Sequence, residues 1–271
     1  MKKTVRIKIN GKIYEAKEEE SVLSVCNRVG IDIPQLCYNE ALAPYGACRL
    51  CLVEVVNGPG KKGITTSCTL RAVDGLEIVT DTEKIVKYRS ILFELYLAQA
   101  PNSEEIREMA AKYGVTKTRF SKKVKPLDPL GNKCVLCGQC VRVCNEIMGT
   151  AAIGYIGRAF YTRINTPYLE KSDVCMGCGA CVEVCPTGAI QMEDIQDKRV
   201  MKSWSGTEVK LKKCKSCGRY FAPEPIAEFA YTKLDPEIKE ELKDLCPDCR
   251  RKLLSKREIL ISQGEVPMNG E

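Results

Sequence analysis

Alternating hydrophobic and polar residues at the start of the chain predict a β-hairpin. The segments VRIKI and KIYEA alternate on either side of Asn10-Gly11, a dipeptide that favours a tight two-residue turn. In SVLSVCNRVG the apolar residues change to helical spacing, and Gly30 ends the predicted short helix. Cys26 lies on the apolar face of this helix, so we expect a small buried hydrophobic side chain there. Alternation returns in LEIVT, at residues 76–80, which predicts a closing strand.

Helical periodicity follows in residues 82–125, which are predicted to connect two domains. KIVKYRSILFELYLAQ is amphipathic, and a second helix is predicted from near Asn102, with Glu105 three residues later, to Gly114. The longest apolar stretch, ILFELYLAQA, is too short to span a membrane and contains Glu94. The N terminus has no apolar segment that would direct export, so we expect a cytoplasmic protein with no membrane partner.

Cysteine is the unusual feature of the composition. The 271 residues include 17 cysteines and no histidine. A reducing cytosol disfavours disulfides, and an odd number of cysteines fits a complete disulfide framework badly, so metal binding is the better explanation. Without histidine, the commonest general base and the imidazole ligands of Rieske-type clusters are excluded. Any metal is therefore expected to be held by thiolates.

The formal net charge of the chain is +7 when every cysteine is counted as neutral. Four sites of four thiolates, each carrying about −2 when metal is bound, would bring the total to about −1. Lysine and arginine then balance buried anionic centres, and nucleic acid is not expected as a partner. A zinc-ribbon protein that binds nucleic acid through residues 200–271, with the basic helix RRKLLSKREI, stays open as an alternative.

Two copies of the spacing C-x2-C-x2-C-x3-C carry the clearest chemistry. In this bacterial [4Fe–4S] motif three cysteines bind one cluster and the fourth binds the other cluster, so the predicted ligand sets are crossed. Gly138, Gly177 and Gly179 would let backbone N–H groups turn towards a buried anion. Zinc, the alternative, does not require this spacing. The two predicted sets are Cys134, Cys137, Cys140 and Cys185, and Cys144, Cys175, Cys178 and Cys181.

An earlier set of four cysteines has the spacing C-x10-C-x2-C-x16-C. Its middle pair matches the plant-type [2Fe–2S] motif, although the first gap is longer. A hairpin, a short helix and cysteine-bearing loops are also what a β-grasp ferredoxin uses to hold such a cluster. Zinc is the alternative, but two of these ligands arrive singly on long loops. The predicted [2Fe–2S] ligands are Cys37, Cys48, Cys51 and Cys68.

The last four cysteines form two knuckles, CKSC and CPDC, and resemble a zinc ribbon. We expect Cys214, Cys217, Cys246 and Cys249 to bind one zinc ion as a structural site, with a rubredoxin-like iron or another cluster as the alternative. The expected fold class is α+β. Its four parts are a β-grasp [2Fe–2S] domain (1–81), a helical connector (82–125), a two-[4Fe–4S] ferredoxin domain (126–199) and a zinc-ribbon-like region (200–271).

These motifs together resemble a known family. IDIPQLCYNEALAPYGACRLCLVEV, followed by TTSC, resembles the N-terminal ferredoxin domain of the large iron–sulfur subunit of respiratory NADH dehydrogenase. The same domain begins the diaphorase small subunit of NAD-reducing hydrogenases and the iron–sulfur subunits of electron-bifurcating hydrogenases. KCVLCGQCVRVCNEIMGTAAIGYIGRAF and DVCMGCGACVEVCPTGAI extend the resemblance over residues 1–195.

Three departures from that family narrow the type of complex to which the chain is expected to belong. Members usually carry a further [4Fe–4S] cluster with one His and three Cys ligands, but LAQAPNSEEIREMAAKYGV has neither residue type. A molybdopterin-like domain and a hydrogen-activating domain are also not expected, and the zinc-ribbon-like region is additional. With this set of domains, the chain resembles the iron–sulfur component of three-subunit flavin-based bifurcating NAD(P)H/ferredoxin oxidoreductases. The missing cluster predicts a wide gap between the [2Fe–2S] and [4Fe–4S] centres, closed by a partner's cluster or a swinging domain.

No substrate site is evident in the sequence, which has no dinucleotide fingerprint after a strand and no spare nucleophile. The resemblance therefore implies an electron relay between flavin- and NAD(P)-binding partner subunits, with soluble ferredoxin as a further candidate partner. A subunit of a bifurcating or NAD-reducing hydrogenase or of a formate dehydrogenase is an alternative within this class. A free-standing polyferredoxin is the alternative of another class.

Overall fold

The computed structural model of the chain describes residues 3–60, 62–122, 124, 128–232 and 240–262. The chain divides into two compact units. The first unit contains Met1–Asn165 and Ala180–Gln191, and the second contains Thr166–Gly179 and Met192–Glu271. The end of the predicted helical connector and the end of the predicted zinc-ribbon-like region lie partly outside the described residues.

A mixed five-stranded sheet forms the start of the first unit. Its strand order is β2-β1-β5-β3-β4, with β1 and β5 parallel and the other neighbours antiparallel. Asn10 and Gly11 both have positive φ angles, of 50° and 82°, which confirms the predicted turn. The strands are β1 (Thr4–Ile9), β2 (Lys12–Lys17), β3 (Leu52–Asn57), β4 (Gly63–Thr66) and β5 (Glu77–Val79).

Helix α1 (Val22–Arg28) packs its apolar face on this sheet. Ser21 caps the helix by accepting a hydrogen bond from the Ser24 backbone N–H at 3.1 Å. Cys26 is fully buried in the core between helix and sheet, as the sequence predicted, and burial raises the pKa of its thiol to about 12. This thiol is therefore a packing group.

Two helices follow the sheet, α2 (Glu83–Gln99) and α3 (Glu104–Ala111). Helix α3 begins near Asn102, as predicted, and Ser103 caps it, because the Ser103 hydroxyl accepts a hydrogen bond from the Ile106 backbone N–H at 3.3 Å. These helices do more than connect two domains. The buried face of α2, which includes Phe93 and Leu97, shares a hydrophobic core with residues from the cysteine-bearing loops on both sides.

The remaining elements of the first unit are short. A helical turn α4 leads directly into a π-helical turn at Val143–Ile147, and β6 pairs with β7 in an antiparallel ribbon. The elements are α4 (Gln139–Arg142), β6 (Gly154–Ile156), β7 (Arg163–Asn165) and α5 (Ala180–Glu183).

A four-stranded antiparallel sheet of order β11-β10-β9-β8 forms the centre of the second unit. Trp204, in the turn before β10, is 1% exposed. None of the helices in the described part of the chain is both long and apolar enough to cross a membrane. The elements are β8 (Glu193–Ile195), β9 (Lys198–Met201), β10 (Thr207–Lys213), β11 (Tyr220–Pro223), α6 (Glu224–Tyr231) and α7 (Pro247–Ser262).

Candidate metal centres

The four cysteines predicted to hold the [2Fe–2S] cluster are all buried in the first unit. Cys51 directly precedes β3 and Cys68 follows β4, so the sheet positions one pair of thiols. Cys37 and Cys48 lie on the long loop between α1 and β3, and the Cys48 backbone N–H donates to the Cys37 Sγ at 3.3 Å. The fold therefore supplies two ligands from strand ends and two from one loop.

Hydrogen bonds to sulfur favour the thiolate form of two of these four cysteines, Cys48 and Cys51, while the pKa values of the donor thiols Cys37 and Cys68 are raised. The Cys37 thiol and the Leu50 backbone N–H donate to the Cys48 sulfur, and together they lower its pKa against burial, which raises it. The Cys68 thiol likewise donates to Cys51 and lowers the pKa of Cys51. A buried set of thiols with backbone donors fits an anionic iron–sulfur cluster, which needs fixed positive dipoles where water is excluded.

The first four-cysteine run lies on the loop before α4. Gly138 begins that helix with a φ of +80°, between Cys137 and Cys140. Burial, and then the neighbouring thiols of Cys134 and Cys185, raise the pKa of Cys137 to about 12. Burial also raises the pKa of Cys140, and the neighbouring thiols of both runs, including Cys181 and Cys185, add to that shift. The structure thus brings thiols of the second run close to the first run, and the crossed assignment of Cys185 remains a prediction from the motif.

Threonine hydroxyls contact the fourth cysteine of each run. The Cys144 Sγ lies 3.2 Å from the Thr150 Oγ1, and the Cys185 Sγ lies 3.7 Å from the Thr187 Oγ1. Thr187 is 1% exposed, so its hydroxyl is held away from water beside the sulfur. A hydroxyl in this place can donate to a ligating thiolate, and such hydrogen bonds are among the factors that set a cluster's reduction potential.

Gly138→Ala is expected to disrupt the first cluster run. Its positive φ is strained for any residue with a Cβ atom, and the new Cβ would also collide with the Tyr155 hydroxyl. Iron analysis of the purified variant would measure the loss of iron, and thermal unfolding would measure the loss of stability. Gly131→Ala is the matched control, because Gly131 also has a positive φ but has nothing within 4 Å of a Cβ. Equal behaviour of the two variants would show that the Tyr155 contact is unimportant.

The loop of the second run is held within the second unit by an arginine. The Arg199 Nη1 donates to the Gly177 carbonyl at 2.9 Å, while its Nε binds Asp194 at 2.7 Å. Gly177 has a φ of +61°, and an added Cβ would lie 3.2 Å from Val209, so the loop requires glycine there. The corresponding cluster assignment remains a prediction from the motif, for Cys144, Cys175, Cys178 and Cys181.

The four C-terminal cysteines converge on one point. Their sulfur atoms all lie within 4.8 Å of one another, and the Cys217 and Cys246 sulfurs are 3.8 Å apart. A tetrahedral ion with metal–sulfur bonds of about 2.3 Å separates its sulfur ligands by about 3.8 Å. A [4Fe–4S] cube holds its thiolates on separate irons and therefore further apart. The spacing fits a single metal ion, with ligands Cys214, Cys217, Cys246 and Cys249.

Hydrogen-bond donors also surround the sulfur atoms of the C-terminal site. The Cys246 backbone N–H donates to the Cys214 Sγ at 3.3 Å, and Arg219 Nη2 lies 3.5 Å from the Cys246 Sγ. Arg219 also forms an ion pair with Asp248, which holds its guanidinium beside the sulfur. Backbone donors, with Arg219, lower the pKa of Cys246 against its desolvation. Thiolate, the form that binds metal, is therefore favoured.

Helix α2 touches the ligand loops of two predicted clusters. The Tyr96 hydroxyl donates to the Cys48 carbonyl at 3.0 Å, and the Gln99 side-chain amide donates to the Cys134 carbonyl at 3.4 Å. Residues three apart share one face of a helix, so both bonds leave α2 on the same side. A ligand of the [2Fe–2S] set and a ligand of the first [4Fe–4S] set are thus tied to one rigid element.

A second contact joins the two loops directly. The buried Gln139 side chain, next to Cys140, donates to the Leu36 carbonyl, next to Cys37, at 2.6 Å. Cys37, Cys48 and Cys137 pack in one hydrophobic core with the face of α2. The wide gap expected from the missing His-bearing cluster is therefore wrong, because the [2Fe–2S] loop and the first [4Fe–4S] loop lie in contact within one unit.

Three domain families match parts of the chain. Residues 2–83 match the "2Fe-2S iron-sulfur cluster binding domain" and residues 130–192 match a "4Fe-4S dicluster domain". A further 4Fe-4S dicluster domain matches residues 174–219. The predicted [2Fe–2S] and two-[4Fe–4S] domain types are thereby confirmed.

Curated relatives share about two-thirds of the chain. An NADH-quinone oxidoreductase component of Rhizobium meliloti (strain 1021) is 31% identical over 207 residues, which are 69% of this chain and 24% of that protein. The NADH-ubiquinone oxidoreductase 75 kDa subunit of Reclinomonas americana is 30% identical over 204 residues, or 69% of this chain and 29% of that protein. The chain thus spans less than a third of the length of these relatives.

A solved structure shows the same fold. A chain of the NAD+-reducing [NiFe]-hydrogenase, in its H2-reduced state, superposes with a TM-score of 0.52 at 27% identity. The match covers 60% of this chain and 75% of that chain. The similarity thus covers much more of this hydrogenase chain than of the longer NADH dehydrogenase relatives.

Proposed function

Because the chain is related, over 69% of its length, to the iron–sulfur subunits of NADH dehydrogenase-type complexes, we propose that it relays electrons within such a complex. The proposed cofactors are one [2Fe–2S] and two [4Fe–4S] clusters, which supply one-electron transfer when bound. Flavin- and NAD(P)-binding partner subunits would provide the nucleotide chemistry. The role of this chain's residues is to hold, separate and insulate the clusters.

The contact between the two cluster loops is the observation that best supports a relay. Tyr96 and Gln99 hold both loops on α2, and Gln139 bonds the second loop to the Leu36 carbonyl of the first. The shared core of α2, α3 and the loops buries Cys48 and packs against the partly buried Cys137. We therefore assign the electron path directly from the [2Fe–2S] site to the first [4Fe–4S] site, with no moving domain and no partner cluster between them.

The other ligand assignments belong to the same proposal. The second [4Fe–4S] cluster is assigned to Cys144, Cys175, Cys178 and Cys181 on the motif alone. The C-terminal set is assigned one zinc ion, because its sulfur spacing fits a single tetrahedral ion and its closed set of four thiolates is typical of structural zinc. Iron in the same place is the alternative, since four thiolates suit both metals.

Within this class we favour an electron-bifurcating NAD(P)H/ferredoxin oxidoreductase, because the segment around α3 has no ligands for the His-bearing cluster. A subunit of a NAD-reducing hydrogenase is the second candidate, supported by the structural similarity to the [NiFe]-hydrogenase chain. Purification from the native cell distinguishes them. A hydrogenase subunit would be recovered with hydrogen-dependent NAD+ reduction, and a free-standing polyferredoxin would be recovered without stable partners.

The full chain, purified without oxygen, is expected to contain about ten irons and one zinc. When both are reduced, the [2Fe–2S] and first [4Fe–4S] centres should broaden each other's EPR signals, since Cys48 and Cys137 share one core. Metal analysis and EPR during stepwise chemical reduction measure both quantities.

A Cys137→Ala variant is the control for that measurement. It should lose the first [4Fe–4S] cluster and leave a [2Fe–2S] signal without broadening. A colourless preparation with negligible iron would refute the relay, whereas a full iron content with unbroadened signals would refute only the direct path.

A further inference from the structure

Arg89 is a fully buried cation on the inner face of α2. Its Nε donates to the Leu50 carbonyl at 3.1 Å and its Nη2 donates to the Leu52 carbonyl at 2.7 Å. These two residues flank Cys51, a proposed [2Fe–2S] ligand that is itself 1% exposed. The guanidinium thus binds the backbone on both sides of a cluster ligand.

The charge of Arg89 is only partly balanced. Its Nη1 binds the Asp81 carboxylate at 2.8 Å and lies 3.2 Å from the Tyr113 hydroxyl. The Asp81 side chain is 57% exposed, whereas that of Arg89 is 0% exposed. Water therefore screens the negative partner more than the positive one, so the positive charge of the guanidinium is the less screened of the two.

A fixed positive charge beside an iron–sulfur cluster favours its reduced form. Reduction adds one negative charge, and net charge, hydrogen bonding and solvent access are the factors that set the reduction potential. Electrostatic attraction is strongest where both groups are shielded from water, as Arg89 and Cys51 are. A neutral hydrogen-bond donor in the same place could anchor the loop but could not supply this attraction.

We propose that Arg89 is a positioning residue that holds the Cys51 loop and raises the reduction potential of the [2Fe–2S] cluster. The proposal rests on the cluster assignment made under the proposed function. It gives α2 a second role, because the helix that fixes the separation of two clusters then also sets how readily the first accepts an electron.

Four variants of the full chain test the proposal by EPR-monitored redox titration at neutral pH. Arg89→Gln removes the charge and keeps a side-chain amide that can donate. Asp81→Asn removes the partner's charge with little change in shape. The double variant removes both charges. Arg119→Gln is the matched control, because the Arg119 side chain also pairs with a carboxylate but is 65% exposed.

Arg89→Gln is expected to shift the reduction equilibrium of the [2Fe–2S] cluster at least tenfold towards the oxidised form, about 59 mV for a one-electron couple. Asp81→Asn should shift it towards the reduced form, the double variant should lie between the two, and Arg119→Gln should match the unsubstituted chain. Shifts of Arg89→Gln and Asp81→Asn in one direction, or none in either, would overturn the proposal.

Three further outcomes are decisive. If Arg89→Gln does not fold, the Asp81→Asn variant tests the proposal alone, because that change is nearly isosteric and lies on the exposed side of the pair. A shift of its reduction potential towards the reduced form supports the proposal, and an unshifted potential overturns it. Absence of a [2Fe–2S] signal from the unsubstituted chain would refute the cluster assignment, and the proposal with it. A normal signal with an unmoved potential would refute the role of Arg89 alone.

Discussion

Cys185→Ala is expected to remove the same cluster as Cys137→Ala, with a loss of about four irons per chain in each case. The physical reason is the closeness of the Cys185 thiol to the first run, where it helps to raise the pKa values of Cys137 and Cys140. Iron and sulfide analysis of chains purified without oxygen measures the loss, and EPR identifies which signal disappears.

A double variant distinguishes crossed from uncrossed ligation. With crossed ligands, Cys137→Ala combined with Cys185→Ala loses no more than about four irons, because both residues serve one cluster. If each run bound its own cluster, the double variant would lose about eight. Cys26→Ala is the control, since this buried thiol packs against the sheet and should leave the iron content unchanged.

Cys246→Ala is expected to unfold the region around the C-terminal metal site while the iron content stays constant. Among the described residues, the hydrophobic cluster directly at the metal site is small, with Cys214, Leu245 and Cys246 as its buried members. Structural zinc contributes an apparent free energy of about 10–16 kcal/mol in small domains, far more than such a core supplies. Amide hydrogen exchange in β10 and β11 should become fast, and zinc analysis should show the loss of one ion per chain.

Ser255→Ala is the control for this variant, because Ser255 lies on α7 and its hydroxyl donates a local hydrogen bond, to the Lys252 carbonyl at 3.2 Å. It should keep both the zinc and the slow exchange. Retained protection in Cys246→Ala would contradict a structural role for the metal. Loss of iron together with zinc would contradict the assignment of a separate mononuclear site.

Local sequence signals were sufficient to predict the first elements of the fold. The Asn10-Gly11 turn, the helix ended by Gly30 and the strand near residues 76–80 all form as predicted, because each depends on neighbouring residues. The end of α3 is also local, with Gly114 at a φ of +71°. The start of α3 lies near Asn102, as predicted, and the structure identifies Ser103 as the capping residue.

Packing between distant segments was not predictable in the same way. The contact from Gln139 to Leu36 joins residues 103 positions apart, and no spacing rule encodes it. Spacing did establish the C-terminal site, because two knuckles leave few ways to arrange four sulfurs. The sheet beside that site was not predicted, although buried Val209 and Leu211 alternate with charged residues along β10.

One signal for Arg89 was present in the sequence. Ile85, Arg89, Phe93 and Leu97 are spaced four apart, so a charged residue stands in the middle of the apolar stripe of α2. A cation in that place must find buried partners, because an unpaired buried charge is too costly. The stripe therefore indicated a special role, although only the structure shows that the partners are the carbonyls beside Cys51.

The attachment of two ligand loops to one helix has a consequence for kinetics. A relay that depends on a swinging domain slows as the solvent becomes viscous and stops when the solvent freezes. Tunnelling across the fixed gap set by Tyr96, Gln99 and Gln139 requires no diffusion. Electron transfer between these two proposed cluster sites should therefore continue in a glass, in a crystal or when the protein is adsorbed on an electrode.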